Sequence, residues 1–223
     1  MKMNITASVY LIITLFLFTS CIKDLTVINE VYSNDFDTIK PNNNQQFGNM
    51  FLLGWNGGWF GPLDPTDQRI FNFNGNNVLG KFNNNLVLLD LANLPNHTTI
   101  RVSLDLYLHN NWRNDLWKMT FDGEEKLLTG FSNDSTIKQS YPNWLGSGSP
   151  LSPAGKNAIE LNLPGICNTV SSKRGTSMYR LITTLSHSKD SFQLTFSDAG
   201  GNHNDTCQRS WSMDNLSINL IHN

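Results

Sequence analysis

The hydrophobic pattern is clearest between Thr98 and Phe131. Ile100, Val102, Leu104, Leu106 and Leu108 alternate without a fault with Arg101, Ser103, Asp105, Tyr107 and His109. A period of two puts the first set on a core face of a strand and the second on a wet face. The run Asn110-Asn111-Trp112-Arg113-Asn114-Asp115 breaks the alternation and reads as a connection. Trp117, Met119 and Phe121 resume it, and Asp122-Gly123 marks a tight turn into Leu127-Leu128.

Shorter segments of the same kind lie on both sides. Leu25–Tyr32 has strand composition, and 69–73, 78–82 and 86–91 are three more strands, with Asn74-Gly75 as the hairpin signal between the first two. In 47–60 two tryptophans flank Gly57-Gly58, which implies a turn. From Ser132 to Gly155 prolines and glycines forbid long ladders. Ala158–Leu163 predicts a strand with Ile159, Leu161 and Leu163 on one face, and 178–187 and 192–197 predict two more joined by a hairpin at 186–191. In the last strand, Ser210–Ile221, Trp211 and Met213 share one parity while Leu216, Ile218 and Leu220 take the other. A β-bulge at Asp214-Asn215 explains that slip. No helical spacing is sustained beyond the start of the chain. The expected class is all-β, a two-sheet antiparallel β-sandwich of jelly-roll type.

The first residues follow different rules. Lys2 precedes an apolar run from Val9 to Phe18, then Thr19-Ser20-Cys21. A basic start, a short apolar stretch and small residues describe an export signal, too short for a membrane-spanning helix. Phe18-Thr19-Ser20-Cys21 resembles the lipobox of bacterial lipoproteins, whose cysteine is acylated, with palmitate for example, and becomes the new first residue. The alternative is an ordinary secretory signal in which Cys21 is incidental. On the lipobox reading residues 1–20 are a signal peptide, 21–24 a short tether and 25–223 one domain, held on a membrane surface by its lipid. The expected address is the bacterial envelope, at the outer membrane or cell surface.

The 223 residues suit one sandwich, and a charged share of 15% leaves the surface polar without much charge, a role that asparagine runs fill. Net charge is −2 and the basic residues are scattered, which disfavours nucleic acid. With Cys21 given to lipid, Cys167 and Cys207 remain as a pair in an exported protein. A disulfide is the natural reading, and two free thiols the alternative.

Several of these stretches together resemble a known class. They are SLDLYLHNNWRNDLWKMTFDG, Phe131-Ser132-Asn133, Gln139-Ser140-Tyr141-Pro142 and the terminal Ser210-Trp211-Ser212-Met213-Asp214-Asn215. The combination is similar to extracellular bacterial jelly-roll domains of the concanavalin A-like or carbohydrate-binding-module kind, over roughly residues 85–221 by pattern. The chain departs from that class at Ser212-Met213, where Gly-Ile is common, and at His109-Asn110-Asn111, where an acidic loop is frequent. The resemblance implies a structural calcium held by Asp35, Asp37 and Asp214, with Asn34 and Asn215 as extra oxygens. The alternative is that Asp214 satisfies main-chain donors at the bulge and the other two shape a turn.

Trp55, Asn56, Trp59 and Trp112 stand in or beside loops, where indole faces rimmed by amides suit sugar rings; alternatively these aromatics plug the ends of the sandwich. Trp117 and Trp211 are in core phase. Chemistry is sparse. Glu124-Glu125 sit in a turn, Glu30 and Glu160 are isolated, the five histidines show no metal-ligand spacing and no Gly-x-Ser-x-Gly occurs. The expected function is a surface-anchored, non-catalytic glycan-binding module. The second reading is a structural or adhesion lipoprotein that binds an envelope protein, and the third a glycan-cleaving enzyme.

Overall fold

The alternation seen along the sequence becomes strands in the computed structural model, which describes residues 26–37, 50–54, 59–62, 69–145, 148, 150–167, 175–199 and 205–222. In chain order the strands are β1 (Val27–Asn34), β2 (Met50–Gly54), β3 (Trp59–Pro62), β4 (Ile70–Phe73), β5 (Asn76–Phe82), β6 (Asn85–Ala92) and β7 (Thr99–Asn110). They continue with β8 (Arg113–Phe121), β9 (Glu124–Ser132), β10 (Glu160–Leu163), β11 (Thr176–Ser186), β12 (Ser191–Ala199) and β13 (Arg209–His222). One sheet runs β10-β11-β7-β13-β5-β4, with β1 also paired to β13; the other runs β3-β2-β6-β12-β8-β9. All these pairings are antiparallel. The protein is an all-β, two-sheet sandwich.

Ile100, Val102, Leu104, Leu106 and Leu108 of β7 are buried, as expected, against Val87 and Leu89 of β6 and Trp117, Met119 and Phe121 of β8. Trp117 and Trp211 meet across the two sheets with ring centroids 5.9 Å apart, so both belong to packing. The bulge is present. Asn215 has φ 51° and the β13–β7 register shifts between Asp214 and Ser217, which returns Leu216, Ile218 and Leu220 to the core.

Three expectations change. The face of β7 expected to be wet is dry over its last half: Asp105, Tyr107 and His109 are buried. Phe73, Val78, Ile166 and Met178 form a second apolar cluster over Tyr107, so this sheet is covered on both faces there. His109 is held in that layer by hydroxyls. Thr176 Oγ1 donates to Pro164 O and therefore accepts from His109 Nδ1 at 3.0 Å, while Ser212 Oγ lies 2.6 Å from His109 Nε2 and donates to it. Burial, with the Lys81 charge, pushes the His109 pKa down to about 3, so the ring stays neutral.

Secondly, β11 and β12 do not form a hairpin. The first pairs with β7 and β10, the second with β6 and β8, and the segment between them crosses from one sheet to the other. Inward-facing sets alternate identically on both sheets, so parity carries no information about the partner. Thirdly, the strand expected over Ala158–Leu163 is confined to β10. Asn162, with φ 59°, breaks its alternation, and Ile159 and Leu161 are exposed.

The asparagine content also has a backbone role. Asn74, Asn84, Asn93, Asn110, Asn114, Asn157, Asn162 and Asn215 all have positive φ. This left-handed region costs most residues energy, and asparagine tolerates it better than most.

Candidate functional site

Cys21, Trp55 and Asn56 lie outside the described residues. Trp59 stands in β3, with its side chain also outside them. Trp112 is fully buried, so it offers no face to a sugar. Its Nε1 donates to Ser210 O at 2.9 Å, and its ring lies 5.2 Å beneath the Arg209 guanidinium. Arg209 is itself buried and reaches Asp115 Oδ1 at 2.8 Å and Asp198 Oδ2 at 2.9 Å. Asp198 also accepts from Trp211 Nε1 and the Asn84 main chain. This network ties β13 of one sheet to β8 and β12 of the other and closes one end of the sandwich. Next to it, Cys167 and Cys207 form the disulfide.

Asp35 and Asp37 are exposed and Asp214 is buried. Asp35 Oδ1 accepts from Asp37 N, Asp37 Oδ1 from Asn77 N and Asp214 Oδ1 from Asn215 N. Burial, then the charges of Asp37, Asp105 and Asp35, push Asp214 up to about 7 against the opposing Asn215 N–H. Asp105 differs, because Arg180 holds it through two bonds of 2.7 and 2.8 Å and Asn215 Nδ2 adds a third. Among the described residues no three His, Cys, Asp or Glu side chains are grouped so as to hold a metal ion.

The opposite end carries a site that the sequence did not announce. Thr99 and Ser186 are register partners of β7 and β11, so the residues just beyond them meet. His187 N donates to Thr98 O at 3.1 Å, and the His97 and His187 rings stack with centroids 4.9 Å apart. His97 Nδ1 lies 2.7 Å from Pro95 O, which can only accept, so the proton is on His97 Nδ1. His97 Nε2 is then the acceptor for His187 Nδ1–H at 2.6 Å. That leaves His187 Nε2 as a lone pair. It makes no hydrogen bond and faces Asp122 Oδ2 at 3.4 Å, although the His187 side chain is only 5% exposed. Asp122 and His187 are among the residues lining an open cleft of about 450 Å³, but His187 Nε2 itself is buried.

Asp122 sits in the β8–β9 turn with φ 51°. Burial opposes its ionisation, but the Lys189 ammonium at 2.8 Å and the Gln193 N–H outweigh it and hold the carboxyl below its usual range. Burial pushes His187 down; Asp122 works against that shift, while His97 and Lys189 add to it. Phe121 and Leu185 give the cleft apolar wall, and Lys126, paired with Glu124 at 2.6 Å, stands at its rim. The arrangement offers close-set acceptors and donors of balanced charge around a small apolar surface. No sequence spacing could have revealed it, because the two histidines are 90 residues apart.

No protein-family model matches the chain, and neither does any curated protein. Among solved structures it is similar to a family 35 carbohydrate binding module from Clostridium thermocellum, with 6% identity over 87% of this chain and 98% of that one and a TM-score of 0.35. It is also similar to the K3 cleaved adhesin domain of Lys-gingipain from Porphyromonas gingivalis, with 10% identity over 85% and 99% of the two chains and a TM-score of 0.37. A third is the C-terminal CBM6 of LamC from Zobellia galactanivorans, with 10% identity over 87% and 98% and a TM-score of 0.30. These are distant likenesses. They say nothing about what this chain binds.

Proposed function

We propose that the protein is a non-catalytic glycan-binding β-sandwich, carried on a bacterial lipoprotein anchor at Cys21 and displayed from the outer membrane or cell surface. The observation that carries the binding half is the cleft beside His187. It is open, balanced in charge and lined by hydrogen-bonding groups next to Phe121 and Leu185, the mixture a sugar's hydroxyls and apolar faces require. Trp55, Asn56 and Trp59 belong to the proposal as a second contact set. The full-length protein on a glycan array is expected to bind, and a blank array overturns the binding half. Loss of signal in Trp55→Ala or Trp59→Ala would assign binding to those aromatics. The anchor is checked by mass spectrometry, and an unmodified Cys21 thiol removes it.

A protein partner in the envelope is the second reading. It draws on exposed Trp144, Leu145 and Leu151, whose segments are tied together by Asn143 Nδ2 donating to Pro150 O. A blank array together with a specific pull-down partner would favour it. A glycan-cleaving activity stands third, and would need turnover that disappears on removing one carboxylate.

A structural calcium at Asp35, Asp37 and Asp214 also remains a proposal. Burial first, and then the charges of Asp37, Asp105 and Asp35, raise the Asp214 carboxyl, and the support for the ion is that a cation there would relieve the second of these. Chelator is expected to lower the thermal midpoint by several degrees, and an unchanged midpoint rejects the ion.

A further inference from the structure

The strand nearest to Cys21 in the sequence enters the sandwich at one particular end. Val27 pairs with His222, Ile221 with Thr99, and Thr99 with Ser186. The start of β1 therefore stands at the end that carries the cleft, with the β8–β9 turn and the β6–β7 and β11–β12 connections. The disulfide and Arg209 lie at the opposite end, where Asn110 closes β7. At about 3.4 Å per residue the twelve residues of β7 set these ends roughly 37 Å apart. Six residue steps separate Cys21 from Val27, and a chain that short spans at most about 22 Å. A lipid on Cys21 therefore cannot leave the disulfide end against the membrane, because β1 would then begin farther from the bilayer than the tether reaches.

The same end presents the apolar surface that such a contact needs. Val27 and Ile28 are 49% and 54% exposed. Neighbours on a strand point to opposite faces, so the chain is covered on neither side here. Ile22 and Leu25 precede them in the sequence, with Lys23 between. Asp122 is paired with Lys189 at 2.8 Å and Glu124 with Lys126 at 2.6 Å, so these carboxylates do little to repel an anionic headgroup layer. We infer that the sandwich rests end-on upon the membrane, with Val27 and Ile28 in the headgroup layer, the cleft on the membrane side and the disulfide end pointing away. This rests on the lipid anchor at Cys21 proposed above and assigns the face that the anchored domain turns to the bilayer. Two half-exposed side chains hold a lipid surface weakly by themselves. A short tether makes the docking intramolecular and raises its effective concentration, so a weak contact suffices.

The test uses the full-length acylated protein in liposomes containing a lipid with a nitroxide on its headgroup. One variant carries a fluorescent label at Ser188→Cys, exposed beside the cleft. Another carries it at Ser135→Cys, exposed at the disulfide end, where Asn133 N donates to Trp112 O. Circular dichroism checks that each variant is folded, and flotation that each stays on the vesicles. With the labels at ends roughly 37 Å apart, the nitroxide is expected to quench the Ser188 label at least about twofold more than the Ser135 label. Equal quenching, or stronger quenching at Ser135, overturns the end-on placement while the anchor stands. Changing Val27→Ser and Ile28→Ser together should leave the protein on the vesicles through its lipid yet weaken the quenching at Ser188. Quenching that this change leaves intact overturns the role of the apolar pair. A protein that does not float with the vesicles overturns the anchor, and this inference with it.

Discussion

Replacing Arg209 by methionine lowers the unfolding free energy by about 3–5 kcal/mol, read from denaturant melts of the folded protein. Methionine keeps most of the volume, so the loss is electrostatic. Asp198 is as buried as Arg209, and without the guanidinium at 2.9 Å its carboxylate stays in a dry interior, where the Trp211 indole and the Asn84 main chain still donate to it. Asp115 loses its 2.8 Å partner but is partly exposed and suffers less. The intact cluster is no proof of net stabilisation, since taking three charges out of water is itself expensive. The asymmetry is what the double variant tests. Adding Asp198→Asn to Arg209→Met removes the stranded charge while leaving an acceptor for Trp211, and it recovers a substantial part of the loss. A single variant that melts within 1 kcal/mol of wild type, or a double variant that is worse than the single, contradicts this account.

The same network shows what the sequence could and could not disclose. Burial of Val102, Leu104, Trp117 and Trp211 followed from parity, because a strand offers only two faces and hydrophobic residues take the one in contact with the core. The bulge at Asn215 was legible for the same reason, as a slip of parity inside one strand. Parity does not say what lies beyond the other face. Asp105, Tyr107 and His109 look like a wet face until Phe73, Ile166 and Met178 arrive from distant segments to cover them. Nor does it say which sheet a strand joins, hence the misplaced hairpin between β11 and β12. Trp112 next to Asn111 and Arg113 reads equally as a binding platform or as a plug, and its role as the floor beneath Arg209 depends on a strand nearly a hundred residues later. The cleft was hidden for a related reason. His97 and His187 each look solitary, and only the Thr99–Ser186 register brings them together.

Converting Cys167 and Cys207 together to serine is expected to cost about 4 kcal/mol, the loop-closure entropy of the 40-residue separation they bridge. This cost arises in the unfolded chain. In the folded state the two segments are held by another device. Asn110, in the left-handed region at the end of β7, accepts from Ile166 N through Oδ1 and donates from Nδ2 to Ile166 O and Cys207 O, each bond between 2.8 and 3.0 Å. Asn133 Nδ2 in turn donates to the Leu108 and Asn110 carbonyls, so the clamp is itself supported. Without the bridge the native geometry should therefore survive. The double serine variant then keeps the wild-type near-ultraviolet spectrum, unfolds at lower denaturant and shows a larger m-value, because its unfolded chain is free to expand. Asn110→Ala in the bridged protein provides the contrast. It removes three native hydrogen bonds from buried groups and leaves the unfolded chain cross-linked, so it lowers stability without raising the m-value. If instead the serine variant loses native near-ultraviolet signal, the bridge is shaping the fold as well as restricting the unfolded chain, and the assignment of its contribution to chain entropy fails.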